Sequence, residues 1–305
     1  MQFLRVVTAG LLTSAAALVA PRPRFGRCTA VRAAADDAIA AFAKCNEDTV
    51  AKISAALPIE AKADVSWLSG DGISIGGKAA TVLAYDAPGP ANVAWLASTH
   101  VQGTLSALTI FNGPLTDVPH LALRAAIVDG SIDLRVDWRP RAYGAYETAK
   151  ADGEFPDPAS REAFAHSGFR TKFAKAYFTD AVKERISAWA HKVDSPTPAP
   201  RDLEDASGPL KLALRLPLND LNVAAVITAQ QLAAEVWLEW ALDSKHVLPP
   251  GMKVTSTYAY DTKLRARLYG SSLALYQGLF GTEDGAKLAA ADAGPLDEGY
   301  VGGAS

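Results

Sequence analysis

The residues best suited to proton transfer are acids and histidines in otherwise apolar segments. His100 and His120 have apolar neighbours, and Asp137 ends a strand-like segment directly before a tryptophan. A buried carboxyl group there would have a raised pKa and could donate a proton, whereas an exposed one would only cap a turn. A lone histidine in such a segment is more often structural than catalytic. Asp261 lies four residues before Arg265, a spacing that most often gives an ordinary helix-face ion pair.

The sequence has none of the short motifs that identify common cofactor or metal sites. It lacks the glycine-rich phosphate loops, the two-histidine zinc motif and the nucleophile elbow of α/β-hydrolases. The five histidines are scattered without metal-ligand spacing. Cys28 and Cys45 are the only cysteines, and the first lies in an N-terminal segment of unusual composition. We therefore predict no bound metal and no disulfide within the mature protein.

Helical and strand periodicities predict a sheet with helices before and after it. A helix is expected over residues 36–57, followed by strands that include residues 92–96, 104–111, 120–128 and 132–138. Asp129-Gly130 is the expected hairpin turn, because such turns require positive φ. A strand in "PLKLALRLP" and helices over residues 228–243, capped by Thr228, and 256–279 follow. This order indicates an α+β fold with one antiparallel sheet covered on both faces.

The first 35 residues differ from the rest in composition. They contain five arginines and no acidic residue, and residues 6–20 have the length of a signal peptide core, too short to cross a bilayer comfortably. The Arg-rich stretch that follows has the composition of a transit peptide. We predict a bipartite plastid presequence over residues 1–35 without a transmembrane anchor; a secretory signal with a short basic pro-segment is the alternative. One domain over residues 36–285 and a flexible tail over residues 286–305 are expected to follow.

The mature chain is predicted to be acidic. Without the five N-terminal arginines, 25 Lys and Arg oppose 33 Asp and Glu, which gives a net charge of −8. A general nucleic-acid binder needs a basic surface, so we exclude that class.

Several short motifs occur in the order found in one protein family. The longest, residues 92–141, reads "NVAWLASTHVQGTLSALTIFNGPLTDVPHLALRAAIVDGSIDLRVDWRPR". It is followed by "KFAKAYFTDAVKERISA", "GPLKLALRLP", "AQQLAAEVWLEWALD" and "LYQGLFG". These motifs, spread over residues 90–285, resemble the red chlorophyll catabolite reductases, which belong to the larger group of ferredoxin-dependent bilin reductases.

The resemblance implies a three-layer α/β/α sandwich with a central antiparallel sheet. An open-chain tetrapyrrole would lie between this sheet and the C-terminal helices, and red chlorophyll catabolite, an intermediate of chlorophyll breakdown, is the expected substrate. Reduced ferredoxin would supply single electrons, with no bound metal, flavin or nicotinamide. Because the pigment itself accepts the electrons, the main chemical task of the protein would be to place protons.

The resemblance nominates Asp137 and Asp261 as catalytic residues, and His120 is added as a weaker candidate because of its apolar strand segment. Asp137 matches a strand-end aspartate that several bilin reductases use to protonate the substrate, and Asp261 stands where an aspartate is common. Arg124, in contrast, replaces an acidic residue that usually faces the pigment, and it could instead pair with a propionate. A second functional aspartate is expected where this sequence has Gly270, followed by two serines that are candidate pigment contacts, Ser271 and Ser272.

These departures leave three functions open: an active reductase with relocated proton donors, a reductase of a different bilin, and a non-catalytic tetrapyrrole-binding protein. If the motif order is coincidental, the chain is a secreted α+β binding domain unrelated to pigments. Because ferredoxin is acidic, an acidic enzyme needs a local basic face to dock it. The candidates, which are otherwise ordinary solvated charges, are Arg139, Arg141, Arg170, Lys172 and Lys175. The sequence leaves a homodimer open.

Overall fold

The computed structural model of the protein describes residues 26–62, 73–86, 93–113, 115–139, 176–190, 192–198, 210–243 and 255–294. The helices within these residues are α1 (Gly26–Ala56), α2 (Asp180–Ala190), α3 (Asp220–Leu242), α4 (Thr255–Phe280) and α5 (Thr282–Ala293). The strands are β1 (Glu60–Ala61), β2 (Ser74–Ile75), β3 (Lys78–Asp86), β4 (Val93–Val101), β5 (Leu105–Asn112), β6 (His120–Val128), β7 (Ser131–Arg139), β8 (Thr197–Pro198) and β9 (Leu212–Pro217).

These strands form one large antiparallel sheet. Its order is β1-β3-β4-β5-β6-β7-β9-β8, and β2 pairs with β3. Strands β3 to β7 are therefore a meander, in which each strand pairs with the next one along the chain. The turn between β6 and β7 has positive φ at both Asp129 (50°) and Gly130 (74°), which confirms the predicted hairpin. The four predicted strands correspond to β4, β5, β6 and β7.

Side chains of the central strands alternate between two apolar clusters. In β5, Leu108 and Ile110 belong to the cluster that includes residues of α1, α2 and α3, whereas Ala107 and Phe111 belong to the cluster that includes residues of α4 and α5. Successive side chains of a strand point to opposite faces, so the two clusters lie on opposite sides of the sheet. All eight residues of β5 are consequently buried. The predicted α+β fold with a large antiparallel sheet is confirmed.

Two helices begin earlier than the sequence predicts. Helix α1 starts at Gly26 rather than at residue 36. Helix α3 starts at Asp220, and its N-cap is Asn219, whose side chain accepts a hydrogen bond from the Asn222 backbone N–H. Thr228, the predicted cap, lies inside the helix and donates its hydroxyl to the Ala224 carbonyl at 2.9 Å. The prediction was wrong because that hydroxyl satisfies the preceding turn instead of an open helix end.

The stretch from residue 286 to Ala293, for which a flexible tail is predicted, is helical in the structure. Helix α5 covers this stretch and buries Leu288, Ala289 and Ala291. The Trp95 indole N–H donates to the Ala291 carbonyl at 2.9 Å and so fastens α5 to β4. Small residues, which favour disorder by composition alone, here allow a helix to approach the sheet closely. Residues 1–25 and 295–305, which hold most of the predicted presequence and the rest of the tail, lie outside the described residues.

Among the described helices, α3 is long and apolar enough, by length and composition alone, to cross a membrane. Half of its apolar window is nevertheless buried inside the protein, and Val236 and Trp237 are completely buried. A core helix passes the same test of length and composition, so this finding gives only weak support for a membrane span.

The contact between α4 and α5 depends on Gly285. A Cβ atom at this position would lie 2.4 Å from the Gln277 backbone nitrogen, which cannot move without shifting α4. We expect Gly285→Ala to lower the free energy of unfolding by about 1–3 kcal/mol, as overpacking does. Gly270→Ala is the matched control, because its Cβ would meet nothing within 4 Å. The control should raise stability by about 0.5–1 kcal/mol, and urea unfolding of both variants measures the difference. Equal effects would contradict the prediction.

Candidate functional site

A row of polar side chains on β6 and β7 lies on the side of the sheet that faces α4 and α5. Two of them, Arg124 and Arg135, stand directly opposite each other, and like charges in this position destabilise a sheet unless anions compensate them. The pair of arginines is therefore a candidate binding site for an anionic group. The cross-strand pairs of the row are His120 with Arg139, Ala122 with Asp137, and Arg124 with Arg135.

Asp137 lies at the centre of the row and is completely buried. Its Oδ2 atom accepts a hydrogen bond from Arg139 Nε at 3.1 Å and lies 3.6 Å from Arg135 Nη2. Both guanidinium groups are themselves buried. Burial lowers the pKa of Arg139, and the charge of Asp137 opposes that shift. Asp137 is thus a buried carboxyl group between two buried guanidinium groups, and the small Ala122 side chain lies across from it on β6.

His120 forms a second buried couple with Asp261 of α4. The His120 Nε2 atom lies 3.0 Å from Asp261 Oδ1, and His120 is 1% exposed. On the other side of the ring, Nδ1 accepts a hydrogen bond from the Asn112 backbone N–H at 2.9 Å. An imidazole nitrogen that accepts a backbone N–H carries no proton, so the proton must lie between Nε2 and the Asp261 carboxylate. Asn112 therefore fixes the tautomer and aims one proton at Asp261.

A third couple, Tyr276 of α4 and Asp292 of α5, was not found from the sequence. The Tyr276 hydroxyl donates to Asp292 Oδ2 and also hydrogen-bonds with Arg124. Burial raises the pKa of Asp292 to about 6, although the Tyr276 hydrogen bond and the charges of Arg124 and Arg139 act against the shift. The pKa of Tyr276 is raised well above its ordinary value, chiefly by burial. Both side chains therefore hold protons near neutral pH more readily than they would in water.

Phe111 and Arg265 connect the His120–Asp261 couple with the Tyr276–Asp292 couple. The Phe111 ring meets the His120 ring edge-on, with 5.1 Å between centroids, and the Arg265 guanidinium carbon lies 5.2 Å from the Phe111 centroid. Arg265 Nε donates to the Ala293 carbonyl at 2.6 Å. Arg265 thus joins α4 to the end of α5, a role that the helix-face spacing with Asp261 did not predict.

Two cavities lie between the sheet and α4, and both are lined by Arg124 and Arg135. The larger has a volume of about 270 Å³ and ends near the Asp133–Arg215 ion pair, whose two hydrogen bonds are each 2.6 Å long. The smaller, about 20 Å³, has room for roughly one water molecule. Its polar lining is Thr109, Arg124, Arg135, Arg139, Ser272 and Asp292.

Comparison with known proteins identifies the fold. No protein-family model matches the sequence, and no curated protein matches it. Among solved structures, the chain is similar to phytochromobilin synthase from tomato in complex with biliverdin, with a TM-score of 0.58 and 12% sequence identity over 82% of each chain. The chain has the fold of a bilin reductase. The family resemblance found in the sequence is confirmed at the level of the fold.

This bilin-reductase fold brings most of the nominated residues to one side of the sheet. His120, Asp137 and Arg124 lie in the polar row, and Asp261 and Ser272 reach it from α4. Ser271, the neighbour of Ser272, is half-buried and donates its hydroxyl to the carbonyl of residue 268 at 3.1 Å.

His100 is not part of the site. Its register partner Ser106 bonds to Asn46 of α1, which lies on the opposite side of the sheet. Burial lowers the pKa of His100, so the imidazole is neutral at physiological pH. The structural interpretation of this histidine therefore fits better than the catalytic one.

The structure corrects one of the five predicted docking residues. Arg139 is 5% exposed and paired with Asp137, so it cannot offer its charge to a protein that docks on the surface. Its strand-end position suggested exposure, but its guanidinium group is buried beside Asp137. The other four candidates, Arg141, Arg170, Lys172 and Lys175, lie outside the described residues.

One signal in the sequence could have identified more of the site. In β7 every second residue is charged, namely Asp133, Arg135, Asp137 and Arg139, while the residues between them are apolar. Such strict alternation on a strand predicts one charged face. No comparable pattern marks Tyr276 or Asp292, whose meeting depends on how α4 and α5 pack.

Proposed function

We propose that the protein reduces an open-chain tetrapyrrole with single electrons from reduced ferredoxin, and that red chlorophyll catabolite is the first substrate to test. The observation that carries the proposal is that buried side chains able to hold protons lie between the sheet and the C-terminal helices. They do so in a fold shared with a biliverdin-bound enzyme. The proposal includes a three-layer α/β/α sandwich, import into a plastid and no bound cofactor.

The protein's part in this reaction is to supply protons and to balance charge. Saturating one double bond of the pigment takes two electrons and two protons, and the electrons arrive one at a time. The His120–Asp261 couple is proposed to release one proton from the protonated Asp261 carboxyl group, and the His120 Nε2–H, 3.0 Å from Oδ1, would stabilise the carboxylate that remains. Asp137 is proposed to hold the guanidinium groups of Arg135 and Arg139 in place beside the pigment.

Arg124, Ser271 and Ser272 are proposed as pigment contacts. A guanidinium group binds a carboxylate in two parallel hydrogen bonds, so Arg124 suits a propionate side chain. The larger cavity, at about 270 Å³, is slightly below the range of roughly 300–1,000 Å³ for pockets that hold organic ligands. We therefore expect side chains of α4 to move when the pigment binds.

The test is anaerobic incubation of the full chain with reduced ferredoxin and either red chlorophyll catabolite or biliverdin. We expect the visible absorbance of the pigment to fall as its conjugated system is shortened, at a rate proportional to the protein concentration. Omitting ferredoxin is the control and should abolish the change. Unchanged pigment spectra with every bilin would contradict the proposed reduction.

A second candidate function is the binding of a tetrapyrrole without turnover. Two observations favour it: Arg124 stands where an acid is expected, and Asp137 is neutralised by two arginines. A carrier would shift the pigment's absorbance on binding and leave it unreduced after ferredoxin is added. For an active enzyme, Arg141, Arg170, Lys172 and Lys175 remain the proposed docking residues.

A further inference from the structure

Asp292 is a buried acid, and one of its oxygens has no hydrogen-bond partner among the residues that the structure describes. The side chain is 9% exposed, and its Oδ2 atom accepts the Tyr276 hydroxyl. Its Oδ1 atom is buried and has no hydrogen-bond partner among the described residues. A buried carboxylate oxygen without a partner is costly, so a native structure keeps one mainly where a ligand, a water molecule or a proton can reach it.

The space beside Asp292 leads towards the proposed pigment site. Asp292 lines the small cavity, which shares Arg124 and Arg135 with the larger one. Among the described residues, the charged and titratable groups around Asp292 are Arg124 from β6, Arg135 and Arg139 from β7, and Tyr276 from α4. Arg124 and Arg139 stabilise the carboxylate that remains after proton transfer. Burial stabilises the protonated acid that exists before the transfer. This is the environment of a group that can both hold and release a proton.

We propose that Asp292 is a second proton donor of this site, and that it acts on the pigment through its Oδ1 atom. The inference rests on the proposed pigment reduction and extends it to a residue outside the motifs that carry the family resemblance. Helix α5 is fastened to the sheet by Trp95 and to α4 by Arg265, which fixes the position of the carboxyl group.

Reduction of one double bond consumes two electrons and two protons. Ferredoxin gives the pigment two electrons in two transfers, the His120–Asp261 couple gives one proton, and Asp292 gives the other as its Oδ1–H bond breaks. A new C–H or N–H bond forms on the pigment at each protonation, and the product is the dihydro-pigment. Asp292 remains as a carboxylate beside Arg124 and Arg139 until solvent returns its proton.

The decisive variant is Asp292→Asn, which keeps the shape of the side chain and can still accept the Tyr276 hydroxyl. Biliverdin and red chlorophyll catabolite are the probes, with the full chain and reduced ferredoxin in the absence of oxygen. We expect kcat to fall about 100-fold, the lower end of general-acid effects, with pigment affinity nearly unchanged. Electron paramagnetic resonance should show a pigment radical that accumulates after the first electron. Glu283→Gln, in the exposed first turn of α5, should change kcat by less than about twofold.

The pH profile separates a proton donor from a structural residue. Because the pKa of Asp292 is about 6, wild-type kcat should fall as the pH rises through that value, and Asp292→Asn should lack this limb. Tyr276→Phe removes a hydrogen bond that lowers the pKa of Asp292, so the limb should move to higher pH in that variant. This second variant keeps the acid itself and tests the inference even if Asp292→Asn does not fold.

The outcomes distinguish the inference from the function on which it rests. If the wild type reduces pigment but both variants retain its kcat and pH profile, Asp292 is not a donor and the reductase proposal stands. If the wild type binds pigment without reducing it, both fail in favour of the carrier. A pH limb that is lost in Asp292→Asn and displaced in Tyr276→Phe establishes Asp292 as a donor.

Discussion

Replacing Asp261 with asparagine is expected to lower kcat for pigment reduction about 10³-fold, within the range of general acid–base effects. The Asn112 backbone N–H occupies His120 Nδ1, so the imidazole proton lies on Nε2, 3.0 Å from Asp261 Oδ1, where it can stabilise the carboxylate that Asp261 becomes after giving up its own proton. An amide can still accept the Nε2 hydrogen but cannot take or release a proton. Pigment affinity should therefore change little. Anaerobic turnover at saturating pigment and an absorbance titration measure the two quantities.

His120→Gln tests whether the two residues act as one unit. We expect it to lose about as much activity as Asp261→Asn. The double variant should lose little more, because the effects of substituting residues that act as one unit are not additive. Ala266→Gln, at an exposed position on the same helix, is the control and should leave kcat within about twofold. If Asp261→Asn kept most of the activity that His120→Gln lost, the couple would not be the donor.

The part of the fold that could be predicted is the part encoded by local patterns. Strands β6 and β7 and their turn follow from alternation and from the two residues with positive φ, so Asp137 and His120 were correctly placed on strands. The order of motifs predicted the bilin-reductase fold, which the similarity to phytochromobilin synthase confirms. Local patterns could not show that Asp137 is held between Arg135 and Arg139, since the same alternation also fits a solvated face.

The rest of the site depends on contacts between distant segments. Asp292 meets Tyr276 only because α5 folds back on α4, and the approach at Gly285 that permits this has no sequence pattern of its own. The Ala-rich composition of α5 matches a flexible tail as well as a closely packed helix. The burial of Arg139 likewise depends on tertiary packing, which a position at the end of a strand does not show.

Replacing Asp137 with alanine is expected to destabilise the protein by about 3–5 kcal/mol, because breaking a buried ion pair leaves uncompensated charge behind. Asp137 is completely buried, and the guanidinium groups of Arg135 and Arg139 that it holds are nearly so. The measurement is urea unfolding followed by tryptophan fluorescence, in which the midpoint should fall while the slope stays the same. Asp137→Asn should lose less, since an amide oxygen still accepts the Arg139 Nε hydrogen.

Asp133→Ala provides the matched comparison on the same strand. Asp133 makes two short hydrogen bonds with Arg215, but their side chains are 19% and 34% exposed, so water can replace the lost partner. We expect this variant to cost about 1 kcal/mol or less, as for other solvent-exposed pairs. The two sites share strand, residue type and partner type, so the contrast reports the burial of Asp137 together with its second arginine partner. Equal losses in the two variants would show that the charges around Asp137 are compensated by other groups, and that the polar row tolerates the removal of its central anion.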